Sequence, residues 1–366
     1  MKISRIDYAG RKAWQLDNGT LQVVVLQGGG HIAALRLAER PEINPLWEPV
    51  WPSKEPWEYR KEDATYYESR LLASIRGHNL CLPWFGGASA GEEHAGLGPH
   101  GEAPVMRWRL LSESVSTRRL TAVFGCDLPV SNLRVARTIT LDAGESCARV
   151  REQVVNLSRR DVPYTYCEHV TVGAPFLEKG VTVFDMPALE GHTFPYDFEP
   201  CPRLKSNSAF SWPMAPGAGS EQVDLRMIAR RYRKSSDFST QHLDPAREWG
   251  WFSALNQDMG LMLAYIWKRA DFPWVGNWEE NYGRKRSPWA GKTLTRGMEF
   301  ANTPFPSGLR DAVERGSMHG EPTFRWLPAR GKISVEYGIV WQALPEGVRG
   351  VKDARPAGRG FEFEYV

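Results

Sequence analysis

Leu133-Arg134-Val135-Ala136-Arg137-Thr138-Ile139-Thr140-Leu141, followed after a short break by Ala148-Arg149-Val150-Arg151-Glu152-Gln153-Val154-Val155, is the stretch that decides the fold class. β-Branched residues dominate it, and apolar and polar side chains alternate without a 3.6-residue stripe. In the first segment Leu133, Val135, Thr138 and Leu141 keep only imperfect period-two register, which points to a bulge. The pattern recurs outward in both directions. Leu120-Thr121-Ala122-Val123-Phe124 precedes it, and Ile333-Ser334-Val335-Glu336-Tyr337-Gly338-Ile339-Val340-Trp341 alternates near the end. Near the start, Leu21–Leu26 and His31–Leu37 read as strands on either side of Gly28-Gly29-Gly30. Many strands joined by turns predict an all-β protein, a large antiparallel β-sandwich with little helix. Leu309–Gly316 is a short helix ended by Gly316.

Length sets a soft limit. The 366 residues would suit two domains, but large β-sandwiches reach that size as one unit, and one domain over 1–366 is expected. The Pro/Gly-rich stretch Trp212–Ser220 reads as a long loop rather than a linker.

Charge and cysteine usage exclude several classes. Lys and Arg number 46 against 43 Asp and Glu, a net charge of +3, and no basic run is long enough to track a phosphate backbone. Nucleic acid is therefore not an expected partner. The cluster Arg230-Arg231-Tyr232-Arg233-Lys234 reads as a solvated face. Five cysteines, an odd number with no C-x-x-C pair, argue against both a zinc ribbon and a disulfide scaffold. No apolar leader and no stretch of membrane-spanning length is visible, so a cytoplasmic protein without membrane association is expected. Oligomeric state is not legible.

Candidate chemistry begins with tryptophan. Fifteen of them is a high count, and an indole is either core filling or a flat platform suited to a sugar ring. Gly87-Ala88-Ser89-Ala90-Gly91 matches the serine-hydrolase elbow, but Glu92-Glu93-His94-Ala95-Gly96 is a poor helix start, so the motif carries no nucleophile. His78, His94 and His100 fall close together beside Glu92 and Glu93, yet their spacing is not that of a metal site, and no metal is expected. His100 lies in Gly98-Pro99-His100-Gly101, a turn context. In Tyr164–Thr171, alternation puts Tyr164, Tyr166 and Glu168 on one face and Thr165, Cys167 and His169 on the other. Taken alone, His169 reads as a hydrogen-bonded core residue, and Glu299, between Met298 and Phe300, as a carboxylate pointing to water.

Taken together these segments resemble the galactose-mutarotase-like superfamily, the aldose 1-epimerases and their hexose-phosphate relatives. Gly29–Ala33 running on to Asn44-Pro45-Leu46-Trp47 is similar to that family's opening strands. Arg76–Gly87, then Pro99-His100-Gly101 and Trp108, resembles its series of a sugar-binding arginine, an aromatic–glycine turn, His-Gly and Trp. His169 falls where the family carries its second histidine, and Glu299 where it carries a catalytic glutamate in a late strand before a proline-containing turn. The likeness runs from about residue 21 to 341, with Glu168 standing where the commoner pattern has asparagine.

The resemblance implies a sandwich with an open cleft and a cofactor-free interconversion of aldose anomers. It implies Glu299 as base, His169 as acid and His100 on the ring-side oxygens. It further implies Arg76 binding hydroxyls or a phosphate, and a small carbohydrate as partner. Trp84, Trp274 and Trp278 are stacking candidates, and Asn277 a substrate contact. The last three lie in Asp271–Asn281, a segment that reads as a cleft-lining loop. Two other readings stay open at this point. One is a carbohydrate-binding protein without catalysis. The other is a glycosidase or lyase drawing on Glu102, Glu168 or Tyr282 as a second group.

Overall fold

The computed structural model describes residues 1–366 except 197, 199 and 200. Half of the chain is strand and 9% is helix. Two antiparallel sheets dominate, one of thirteen strands and one of eight, and they pack face to face. At the centre of the larger sheet five strands lie side by side: His78–Cys81, Cys167–Gly173, Leu294–Ala301, Trp274–Asn281 and Ser235–Leu243.

Alternation explains how these strands serve two purposes. Val170, Val172, Val275, Met298 and Phe300 point inward and meet Phe252, Tyr265, Trp267, Ile339 and Trp341 of the eight-stranded sheet. Trp267 and Phe300 stack across the gap with centroids 4.2 Å apart and planes 10° from parallel. Each such side chain gains about 1.5–3 kcal/mol on leaving water. The residues between them in sequence, among them His169 and Glu299, are thereby forced to the opposite face.

Four sequence-based expectations need correction. No bulge occurs in Leu133–Asp142, which pairs in unbroken register with both neighbours. Its inward row is Leu133, Val135, Arg137, Ile139 and Leu141, and Arg137 is fully buried against Glu152. A buried ion pair had disguised a regular strand. Second, Asp271–Asn281 is not a loop, since Trp274–Asn281 is a central strand buried along its whole length. Third, the Trp212–Ser220 segment includes the short strand Met214–Pro216, hydrogen-bonded to a neighbour on either side. Fourth, a helix does follow the G-x-S-x-G match: Ser89 caps Ala90–His94, its Oγ accepting from the Glu92 amide. The strand before it ends at Cys81 and does not run into the motif, and Ser89 is a cap. The helix Gly308–Arg315, capped by Gly316, lies within a residue of its expected bounds. No helix among the described residues is long and apolar enough to cross a membrane.

Candidate active site

His169 and Glu299 are direct cross-strand partners in the sheet, and both side chains leave its outer face. Imidazole Nε2 lies 3.0 Å from carboxylate Oε1. Asn79 pairs with His169 on the far side, and Gly276 with Glu299 on the other, so four strands build the floor. Two glycines leave room for the carboxylate. A Cβ at Gly297 would sit 2.3 Å from Oε1, and one at Gly276 would sit 3.0 Å from Oε2. Glu299 is only 1% exposed, yet Oε2 has no hydrogen-bond partner among the described residues. A buried carboxylate oxygen left unpaired is costly, so this atom is suited to a donor arriving from the cavity.

The second histidine comes from a loop. His100 has φ +66° and Gly101 φ +81°, both left-handed. A Cβ at Gly101 would sit 2.3 Å from the Leu82 carbonyl oxygen, so glycine is required for this loop to pack on 82–86. The Gly86 amide donates to His100 Nδ1 at 3.1 Å. A backbone N–H can only donate, which leaves the proton of the neutral ring on Nε2. Burial pushes this imidazole well below its ordinary range, and the neighbouring imidazole of His169 acts in the same direction. Near neutral pH His100 is therefore an uncharged hydrogen-bond donor, its ring 5.1 Å from that of His169.

Around these three groups lies a cavity of about 490 Å³. Phe85, Phe238, Trp278 and Trp289 form much of its wall, with Leu71 and Ile75 behind. Trp278 stands 6.1 Å from the His169 ring. The Arg284 guanidinium lies 4.6 Å from the centroid of Trp289 and 5.2 Å from that of Trp278. Its backbone N–H and that of Gly283 donate to Glu280 Oε1, which fixes the turn that presents it. Arg286 pairs with Glu68 at 2.7 Å on the same cavity. Aromatic faces above a polar floor suit a ring carrying hydroxyls on its edge.

Of the residues singled out in the sequence, His100, His169, Glu299 and Trp278 meet at this cavity. The others do not line it. Arg76 is turned away, with Nη1 3.1 Å from Glu48 Oε2 and the guanidinium over Tyr8. Trp84 faces a separate depression beside Pro83 and Leu97. Trp274 is fully buried, packed on His242 and His319. Asn277 alternates with Trp278 and so shares the inward face with Val275. Phe85, Phe238, Trp289 and Arg284 were not singled out. Phe85 sat within the Arg76–Gly87 block, but nothing in the sequence marked the other three.

The second groups that a hydrolase would need are engaged elsewhere. Glu102 accepts from the amides of Val130 and Ser131. Glu168 lies in the core, 2.6 Å from His78. Tyr282 stands beside Lys179, whose ammonium lies 5.9 Å from its ring centroid, and it does not line the cavity. Among the described residues no group of three or more His, Cys, Asp or Glu is arranged to hold a metal ion.

Solved structures share this architecture. A galactose mutarotase-like protein from Clostridium acetobutylicum superposes with a TM-score of 0.62 at 11% identity, covering 94% of this chain and 99% of that one. A "putative aldose 1-epimerase" from Klebsiella pneumoniae gives 0.64 at 11% identity, over 91% of this chain and 79% of that one. A galactose mutarotase related enzyme from Lactobacillus acidophilus gives 0.55 at 14%, over 92% and 99%. The chain thus has the galactose-mutarotase-like fold. No protein-family model matches the sequence, and no curated protein matches it.

Proposed function

We propose that the protein is an aldose 1-epimerase-like isomerase, which interconverts the α and β anomers of a sugar held against Trp278. The observation that carries this reading is the His169–Glu299 contact at 3.0 Å in a pair that lines the cavity, with Glu299 Oε2 unpartnered among the described residues.

Mutarotation moves two protons, one on each of the two oxygens bound to the anomeric carbon. Glu299 Oε2 takes the proton of the C1 hydroxyl while protonated His169 gives one to O5. The C1–O5 bond breaks, and its electron pair stays on O5. The aldehyde turns about C1–C2, the O5 hydroxyl attacks its other face, and both protons return. Ring opening and closure are redox-neutral, so the reaction requires no cofactor. The two oxygens share the anomeric carbon, so the acid and base serving them must themselves be close neighbours. A touching imidazole–carboxylate pair meets that demand. Hydrolysis instead calls for two carboxyl groups about 5–9.5 Å apart. Neutral His100 would donate from Nε2 to a ring-side oxygen, adding hydrogen bonding without another charge.

The relatives named for mutarotase and epimerase activity on this fold support the same reaction class. The test is anomer exchange, followed by polarimetry or NMR, across a panel of free and phosphorylated aldoses. Catalysed exchange of at least one sugar is expected. Binding without exchange across the panel would favour a carbohydrate-binding protein instead.

A further inference from the structure

The His169 ring has a second neighbour that the proposed reaction leaves unused. Nδ1 lies 3.0 Å from Thr171 Oγ1, two residues along the same strand and on the same face. Thr171 is fully buried, and its own backbone is fixed. Its amide donates to the Gly77 carbonyl at 3.2 Å, and its carbonyl accepts from the Trp47 amide at 2.8 Å. The hydroxyl is therefore held under the ring by a rigid element, not by a mobile loop.

We propose that Thr171 is the positioning residue of this site, a two-way hydrogen-bond partner that serves His169 in both of its protonation states. The inference rests on the reaction proposed above. A hydroxyl both donates and accepts, according to how its hydrogen is turned. When His169 is neutral and no sugar is bound, Thr171 donates to Nδ1 and keeps the ring proton on Nε2, the atom that faces Glu299. When His169 is an imidazolium, Nδ1–H donates to Thr171, and it still does so after Nε2 has passed its proton to O5, which leaves Nε2 free to take the proton back. A carboxylate below the ring would clamp the cation, and an apolar group would leave a buried N–H unpaired. A hydroxyl meets both demands, donating to Nδ1 of the resting ring and accepting from Nδ1–H of the cation.

The charged and titratable groups around the ring come from several elements. Glu299 stands on the adjacent strand, His100 on the loop and Arg284 across the cavity. Cys167 precedes His169 on its own face, Cys81 pairs with Cys167 from the next strand, and His78 lies through the sheet. Thr171 is distinguished from these by touching the nitrogen that does not face the cavity.

Thr171→Val keeps the shape of the side chain and removes both hydrogen-bonding roles. Followed by NMR in the substrate-free protein, the variant is expected to titrate His169 at lower pH than the wild type, by up to about one unit, because the charge-assisted bond lost by the cation is stronger than the neutral one lost by the free ring. Anomer exchange should fall about 10- to 100-fold in kcat with KM little changed, and the acid limb of its pH profile should move the same way. Thr171→Ser should restore both readouts. Thr171→Ala serves if the valine variant does not fold. Coincident titrations of His169 in wild type and variant would overturn the proposal, as would a serine variant no better than valine. The titration needs no substrate, so it decides the role of Thr171 even where no sugar is turned over, an outcome that sinks the reaction instead.

Discussion

The strand Cys167–Gly173 carries a histidine–glutamate pair on each face, and the two make instructive opposites. On the outer face His169 meets Glu299 at 3.0 Å beside a cavity. On the inner face Glu168 meets His78 at 2.6 Å between the sheets. The inner pair is walled in. Tyr265 reaches His78 Nδ1, Tyr337 donates to Glu168, and the Arg137–Glu152 pair with Tyr166 lies alongside. Burial pushes His78 well below its ordinary range and holds Glu168 above its own, while Glu152 is raised to about 7. The same two residue types thus give a structural core on one face and, on the other, the cavity-lining pair proposed as acid and base. What separates them is access to a cavity, not composition, since each glutamate keeps one oxygen without a partner among the described residues.

The contrast can be broken most sharply at Glu299. Glu299→Gln keeps shape and removes basicity, so anomer exchange should fall by about two to four powers of ten while sugar binding and melting temperature persist. His169→Asn should do the same, and the double variant should lose little beyond the worse single one. Near-normal exchange in the glutamine variant would mean that the outer pair, too, is only structural.

Arg137→Met tests the inner network with the opposite signature. Removing one partner of a buried ion pair strands the other, so stability should drop by about 3–5 kcal/mol in denaturant unfolding. Activity per folded molecule should be retained. An unchanged midpoint would show that the core network is not held by this pair.

Gly297→Ala sharpens the geometric claim. Its Cβ would sit 2.3 Å from Glu299 Oε1, so the carboxylate must move away from His169. A displacement near 1 Å is expected to lower kcat by up to about 10²-fold. A variant that works normally would show the carboxylate free to rearrange.

The smallest effect is in pH. Glu152 has a folded-state value near 7, above the ordinary carboxylate range, so the fold binds its proton more tightly than the unfolded chain does. Its stabilising contribution is full below the unfolded value and declines as pH rises through about 7. His78, held low by burial, contributes the reverse, stability present above its unfolded value and lost as pH falls. Melting temperature measured from pH 4.5 to 8 should lose the Glu152 part of its slope in Glu152→Gln. An identical slope in the variant would count against it.

Sheet architecture was legible because alternation marks a half-buried strand whatever its partners. It misled at Arg137, where a buried cation interrupts the apolar row, and at Trp274–Asn281, where Pro273, Gly276 and Asn277 imitate a loop. The central polar trio was legible from the order of His100, His169 and Glu299, read against the family they resemble. Tryptophan identity could not tell wall from core, because an indole is at home in both. Only strand parity separates Trp278 from Asn277, and only packing separates it from Trp274. Arg76 reads as a ligand-binding arginine until Glu48, remote from it in sequence, is brought to its side.

Residues 79, 169, 276 and 299 meet only because four strands from distant parts of the chain are hydrogen-bonded neighbours. Closing such long loops is slow, and the pairing of Cys167–Gly173 with Leu294–Ala301 cannot precede synthesis of residues 294–301. Emergence from the ribosome therefore leaves the N-terminal strands waiting, with their apolar rows unsatisfied, for partners not yet made. In refolding, recovery of the proposed anomer exchange should lag the return of β-sheet circular dichroism, because the site forms only once these distant strands have paired.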